Sequence, residues 1–262
     1  MQFEVLGPIL VRDDEAEILQ IAQGLPQVLL ALLLLKANLP IPADRLIDWL
    51  WHGKPPKSAR SNLKTYVALL RAALTPGSLP VRTAGNGYLL VMEPDSLDAT
   101  IFGRLAAGGR QAVRDHDLVG ASRLFERALS MWQGEALHGL DLRGELANWA
   151  HRLEDERLSV SEDLVDVKLA LGRHNDTIGD LLSHTARHPL RERGHAQLML
   201  ALYRSGRQSE ALDTYHRLSH TLVGQTGVKP GLHVRELHAK ILNAHPSLAH
   251  GPLETSMSGF HT

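Results

Sequence analysis

The 262-residue sequence contains no cysteine, which excludes disulfides, thiol chemistry and any cysteine-ligated zinc site. Aromatic residues make up only 5%, so cores must be packed from leucine, alanine and valine. With 44% hydrophobic residues there is enough material for this. The apolar run Val28–Leu35 stops at Lys36, far short of the roughly 20 residues that span a bilayer. It reads as a buried helix. The first residues show no basic region followed by an apolar one, so no secretory signal is expected, and the expected location is cytoplasmic. Neither a GxxxxGK[ST] phosphate loop, a GxGxxG after a strand, nor HExxH occurs. No catalytic residue, no cofactor and no enzymatic activity are expected.

A more local absence says more. The net charge of −1 argues for nothing, yet no acidic residue lies between Asp48 and Glu93. Lys54, Lys57, Arg60, Lys64, Arg71 and Arg82 all fall in that window. A basic patch concentrated on one element is the electrostatic footprint of a polyanion-binding surface. Within it, Leu63, Val67, Leu70 and Leu74 recur at helical spacing and predict a helix with one stripe facing a core. Ser58 stands where an N-cap hydroxyl belongs. Arg60, Lys64 and Arg71 flank the stripe, and Ser61, Thr65, Ala68 and Ala72 lie opposite it. Cations beside short hydroxyl- or methyl-bearing residues suit a helix in the DNA major groove: the cations meet phosphates and the short side chains approach base edges. The bland alternative is a solvated face that is basic by composition. Pro76-Gly77 is expected to end the helix, and Gly85-Asn86-Gly87 to supply the positive-φ residues of a hairpin turn, with Arg82 placed just before it.

Upstream, Phe3–Leu6, Ile9–Val11 and Ile18–Ile21 read as short strands separated by Gly7-Pro8 and Asp13-Asp14. Pro26 suits the first turn of an apolar helix reaching Ala37, and Ala43–Trp51 predicts a second helix burying Leu46, Ile47 and Leu50. His52–Lys57 is then a rigid, proline-containing connector into the basic helix. Strands, three helices and a hairpin, in that order, make a winged helix-turn-helix.

From about Leu97 the strand signals stop. Leu198, Leu202, Tyr203, Gly206, Ala211, Leu212 and Tyr215 follow the tetratricopeptide pattern, and Gly172-Arg173 precedes Gly206-Arg207 by one such period. A weaker copy runs through residues 100–131, with Ala121, Leu124, Phe125 and Ala128. Helix pairs of this kind stack because none can bury its apolar face alone. The array either binds a peptide or protein, or serves to dimerise the chain or pack on its first domain. His184/His188 and His216/His220 sit four apart on predicted helices, but no carboxylate pattern completes a metal site, so they read as surface histidines. Glu154–Arg157 reads as a solvated helix face. The expected division is a DNA-binding domain over residues 1–93, a helical domain over 97–245 and a disordered tail over 246–262.

Several blocks resemble one family: MQFEVLGPILV, LLALLLLKANLPIPADRLIDWLW, PPKSARSNLKTYVALLRAAL and GNGYLL, then the stretch from RLEDERLSV to ELHAKIL. They resemble the Streptomyces antibiotic regulatory proteins, which join an OmpR-type winged helix to a bacterial transcriptional activator domain. The resemblance implies a mainly α chain and an activator of a secondary-metabolite gene cluster. It also implies binding of double-stranded promoter DNA at tandem direct repeats and contact with RNA polymerase, including its sigma factor. On that reading Arg60, Arg71 and Arg82 position the backbone, Ser61, Lys64, Thr65 and Ala68 read bases, and Asn86 sits at the wing tip. His52, Lys54 and Lys57 mark the polymerase-contact loop. No membrane partner and no fused receiver domain are expected. The chain departs from the family at Leu25-Pro26-Gln27, where relatives carry basic residues, and at Leu69, where many carry an arginine. Those departures keep open a protein-docking adaptor with a degenerate winged helix. A repressor or ligand-sensing regulator is the other alternative.

Overall fold

The computed structural model describes residues 1–74 and 80–248. The expected helix stop at Pro76-Gly77 and the tail from residue 249 lie outside them. The described residues form two compact units, one of residues 1–107 and 126–159, the other of residues 108–125 and from 160 onward. No helix among the described residues is long and apolar enough to cross a membrane.

In the first unit, strands β1 (Gln2–Glu4) and β2 (Leu10–Arg12) pair antiparallel. The Asp13 carboxylate accepts the Glu15 and Glu17 N–H groups, turning the chain so that Ile18 bridges back to Arg12. The strand expected over Ile18–Ile21 is only that single bridge, because Ile18 is 45% exposed and has no face to bury. Helix α1 (Leu25–Leu35) follows Gly24 and carries Pro26 at its start, where a missing N–H costs nothing. Pro26 and every residue from Val28 to Leu34 are buried, and α1 packs on helix α2 (Ala43–Trp51), helix α3 (Ala59–Ala73) and strand β5 (Gly87–Leu90). Leu46, Ile47 and Leu50 of α2 and Leu63, Val67, Leu70 and Leu74 of the α3 stripe are buried as predicted. A second sheet has the order β3-β5-β4, with β3 at Ile41–Pro42 and β4 at Val81–Ala84. Ile41–Pro42, between the two helices, is an edge strand paired with Tyr88 and Gly87. An edge is where a proline, lacking the ladder donor, can sit.

The N-terminal strands are anchored by one carboxylate. Asp98, the first residue of helix α4 (Asp98–Arg114), accepts the Val5 and Leu6 N–H groups on Oδ2 at 2.8 and 3.0 Å and the Ala99 N–H on Oδ1 at 2.7 Å. On the other side of this segment the Leu6, Val5 and Gly7 carbonyls accept from Gln133, Leu137 and His138. The loop after helix α5 (Leu118–Leu129) is held in turn by helix α6 (Gly144–Ala170): Glu154 accepts the Ala136 N–H, and Arg157 donates to the Gly134 carbonyl and lies over the Trp132 ring. Glu154 and Arg157 are therefore not the solvated face expected; they tie down a loop.

The second unit stacks the part of α6 from residue 160 with helices α7 (His174–Arg187), α8 (Glu192–Arg204), α9 (Gln208–Thr226) and α10 (Leu232–Leu242). Its core joins Val165, Leu169, Ile178, Leu181, Leu198, Leu202, Ala211, Leu218 and Ile241. Between helices the same turn recurs: the N–H of Gly172, Gly206 or His116 donates three residues back and the next N–H five back. That pair of bonds satisfies the helix's last carbonyls and requires a left-handed residue. Gly172 and Gly206 have φ +77°, as the repeat spacing predicted, while His116 holds φ +62° in the α4–α5 turn. The weaker copy in the sequence thus keeps the geometry without the glycine. Where α5 meets α4, a Cβ at Gly109 would lie 2.4 Å from the Phe125 ring.

Polar groups also fix this stack. Glu162 accepts both Arg191 Nε and Nη2 at 3.0 Å and sits 3.3 Å from His184 Nε2. Asp163 pairs with Arg110 at 2.8 Å and Arg193 at 2.7 Å, and Asp166 with Arg193 at 2.6 Å. Burial pushes the Glu162 carboxyl up, but the His184 and Arg191 hydrogen bonds and the neighbouring guanidinium charges outweigh it and hold it below the usual range. His184 and His188 are accordingly not the surface histidines expected; both are half-buried with rings 5.1 Å apart. His216 and His220 are exposed. Pro246–Leu248, placed by sequence in a disordered tail, form a 3-10 turn in which Leu248 is buried and the Leu248 carbonyl accepts from Arg204.

Two outcomes follow for stability. Replacing His116 by glycine removes a left-handed cost of about 1–2 kcal/mol against an added chain entropy of roughly 0.5–1 kcal/mol. Urea unfolding should show His116→Gly more stable by about 0.5–1 kcal/mol; an unchanged or lower midpoint would contradict the turn assignment. Burial, opposed by its backbone hydrogen bonds, raises Asp98 from 3.8 to about 6. A folded-state pKa above the unfolded one means that this group's stabilisation is complete below about pH 4 and lost as pH rises through 6. The window corresponds to roughly 3 kcal/mol. Unfolding curves between pH 4.5 and 7 should show the wild type gaining on Asp98→Asn as pH falls, and parallel curves would refute it.

Candidate nucleic-acid interface

The α3 stripe faces inward, which leaves its opposite face outward. Arg60, Ser61, Lys64, Thr65, Ala68, Leu69 and Ala72 are all exposed along it. At 1.5 Å per residue the 15-residue helix is about 22 Å long. Ser58 occupies the N-cap position, but its hydroxyl caps nothing; Asn62 Nδ2 donates to it at 3.3 Å. Thr65 donates to the Ser61 carbonyl at 3.1 Å. Leu69 is 43% exposed, so this position presents an apolar surface on the outward face.

The wing follows from strand register. Val81 pairs with Leu90, Arg82 with Leu89, Thr83 with Tyr88 and Ala84 with Gly87, leaving a two-residue loop of Gly85 and Asn86. Only Gly85 has positive φ, +57°. The expectation that all three of Gly85, Asn86 and Gly87 serve the turn through positive φ is therefore corrected. A positive φ at the first central residue alone is the pattern of a type II′ turn. Gly87 is needed for another reason: a Cβ there would lie 2.0 Å from the Ile41 carbonyl oxygen of β3. Arg82 and Asn86 are exposed near the tip.

The six cations of the acid-free window do not share one environment. Lys54, Lys57, Lys64 and Arg82 are exposed. Arg60 pairs with Asp44 of α2 at 2.6 Å, an exposed bridge of the kind worth about 0–1 kcal/mol. Arg71 is half-buried; its Nε donates to the Val81 carbonyl and its Nη2 to Thr83 Oγ1, each at 2.9 Å. Asp44, Thr83 and Tyr88, which contact these arginines, were not picked out in the sequence. A cation at 71, four residues after buried Val67 and three before buried Leu74, was the available sign that Arg71 lies at the edge of the stripe. The connector from His52 to Lys57 is exposed throughout, with His52 and Gly53 left-handed, and Trp51 beside it stacks on Tyr66 at 6.3 Å. Among the described residues no group of three or more histidines or carboxylates could hold a metal ion.

A winged helix followed by stacked helix pairs is a specific combination, and known proteins share it. The family model described as the bacterial transcriptional activator domain matches residues 97–242. The regulatory protein DnrI of Streptomyces peucetius is 37% identical over 257 residues, covering 95% of this chain and 94% of DnrI. The chain belongs to the Streptomyces antibiotic regulatory protein family. As a member of that family it is a transcriptional activator, and its relatives are transcriptional regulators. The regulatory protein AfsR of Streptomyces coelicolor is 40% identical over 253 residues, but these span only 25% of AfsR. Among solved structures, Mycobacterium tuberculosis EmbR in complex with a low affinity phosphopeptide matches with a TM-score of 0.88 and 30% identity, over 94% of this chain and 65% of that one. The mainly α architecture, with an N-terminal winged helix and a helical repeat domain, is thus a fold that the Streptomyces antibiotic regulatory protein family shares with EmbR.

The site's glycines make a paired test. Gly87→Ala must separate β3 from β5 and should cost roughly 3 kcal/mol or more. Gly85→Ala meets no atom within 4 Å and should cost only the left-handed backbone, about 1–2 kcal/mol. Equal losses in thermal unfolding would show that the β3 approach is not what demands Gly87.

Proposed function

We propose that the protein binds double-stranded promoter DNA at tandem direct repeats and recruits RNA polymerase, including its sigma factor, to activate a secondary-metabolite gene cluster. Residues 1–93 act as the DNA-binding domain and residues 97–245 as the partner-binding domain. Helix α3 enters the major groove with Ser61, Lys64, Thr65 and Ala68 toward base edges. Arg60 and Arg82 meet the backbone, with Asn86 at the tip of the wing. The exposed connector bearing His52, Lys54 and Lys57 is the polymerase-contact loop. Direct repeats call for a head-to-tail arrangement of copies rather than a two-fold one.

The observation that carries this reading is the exposure of Lys54, Lys64 and Arg82, from a stretch of sequence without an acidic residue, in a family of transcriptional regulators. The Arg60–Asp44 bridge does not oppose it. An exposed pair worth at most about 1 kcal/mol is readily exchanged for a phosphate. A second reading, an adaptor whose winged helix docks protein, draws on exposed Leu69 and on the commitment of Arg71 to the wing.

Fluorescence anisotropy with promoter DNA from the protein's own gene neighbourhood, carrying one repeat or two, separates the readings. Tight, salt-sensitive binding that needs both repeats is expected, and no preference over random DNA would favour the adaptor. Lys64→Ala should weaken the cognate repeats by about 10-fold, the size of one lost base contact, and random DNA by less. Equal losses on both would remove Lys64 from the base-reading set.

A further inference from the structure

Arg71 is the one cation of the window whose guanidinium is aimed at the protein's own wing. Strand β4 is an edge strand. The Pro80 carbonyl points to β5, where it accepts the Val91 N–H at 2.7 Å. By the alternation of a strand, the next carbonyl, that of Val81, faces the open edge. Arg71 Nε donates to it at 2.9 Å, and Nη2 donates to Thr83 Oγ1 at 2.9 Å. The two anchor points bracket Arg82, which is itself exposed. Across the strand pair, Tyr88 sits opposite Thr83, and its ring centroid lies 6.0 Å from the guanidinium carbon.

We infer that Arg71 is a positioning residue: it clamps β4 onto the end of α3 and so fixes where Arg82 meets DNA. This rests on the DNA-binding reading above and revises the role expected for Arg71, a backbone contact of its own. The chemistry favours arginine. A planar fork serves two acceptors two residues apart on one strand, which the single ammonium of a lysine cannot do in the same geometry. An edge strand held at one carbonyl and one hydroxyl cannot swing away from the helix it follows. The distance between the α3 face and Arg82 is then set by the clamp.

The test is a double-mutant cycle on full-length protein, with cognate repeats and random DNA, across a salt titration. Wild-type preference for the repeats is measured first; its absence would overturn the DNA-binding reading and this inference with it. Given that preference, Arg82→Ala should lower the slope of log K against log salt by about 0.9, the signature of one phosphate contact. Arg71→Lys keeps the charge, yet it should lose affinity by about as much as Arg82→Ala and shed the same slope, because Arg82 is displaced. The double variant should be no weaker than either single one. Thr83→Val leaves Arg71 intact and keeps the β-branched shape; it should shift affinity and slope in the same direction, and it carries the test if Arg71→Lys fails to fold by circular dichroism. Retention of affinity and slope by Arg71→Lys, or losses that add in the double variant, would show that Arg71 holds a phosphate itself and would overturn the inference.

Discussion

Helix α1 has no polar face, and this constrains the whole winged helix. A surface helix leaves one side to water; α1 buries Pro26 and the run Val28–Leu34, so it must be covered all round. Each leucine brought out of water contributes about 1.5–3 kcal/mol, so leaving one side of α1 open would forgo several such terms. Helices α2 and α3 and strand β5 supply the cover. Helix α3 does so with Leu63, Val67 and Leu70, and a helix that gives one stripe to a neighbour must present the opposite one outward. The exposure of Ser61, Lys64, Thr65 and Ala68 is thus a consequence of how α1 is buried.

What was legible in the sequence was what periodicity dictates. Leu46, Ile47 and Leu50 place α2 because three apolar residues on one side of a short helix leave no other orientation. The wheel of α3 separated core from surface for the same reason. Features set by a distant partner were not legible. Ile41–Pro42 is a strand only because Gly87, far along the chain, lets the backbones approach. Arg71 looked like any flank cation, since a wheel gives a direction and not the acceptor waiting there. Lys64 and Arg82, also expected to meet DNA, lie exposed, and their contacts depend on a partner the chain does not contain.

The helical half shows the same division. Gly172 and Gly206 announced their turns because the left-handed residue that ends a helix is usually glycine. His116 hid the third turn by holding the same conformation at a cost. Glu162 and Asp163 gave no sign of burial, since their partners Arg191 and Arg193 come about 30 residues later. Buried ion pairs of this kind contribute little net stability, because desolvation offsets most of the attraction. What they resist is misalignment: a slip of α8 along α6 would leave a buried charge unpaired, at roughly 3–5 kcal/mol. The stack can therefore be rigid without being strongly stabilised by its polar contacts.

The distribution of cations bears on how such a regulator would select a promoter. On the proposed reading, with Arg71 turned to the wing and an exposed leucine at 69, one copy would offer Lys64, Arg82 and, once released from Asp44, Arg60 to the groove. Each phosphate contact accounts for about 0.9 in the salt slope, so on that reading a single copy on a single repeat would bind weakly, with a shallow slope. Two copies in contact on adjacent repeats would raise each other's effective concentration, and the proposed polymerase contact would add a third tether. Weak individual contacts would then be an advantage, because occupancy would depend on the repeats and the polymerase being present together. A helix with more phosphate-binding cations would hold random DNA as well and lose that dependence.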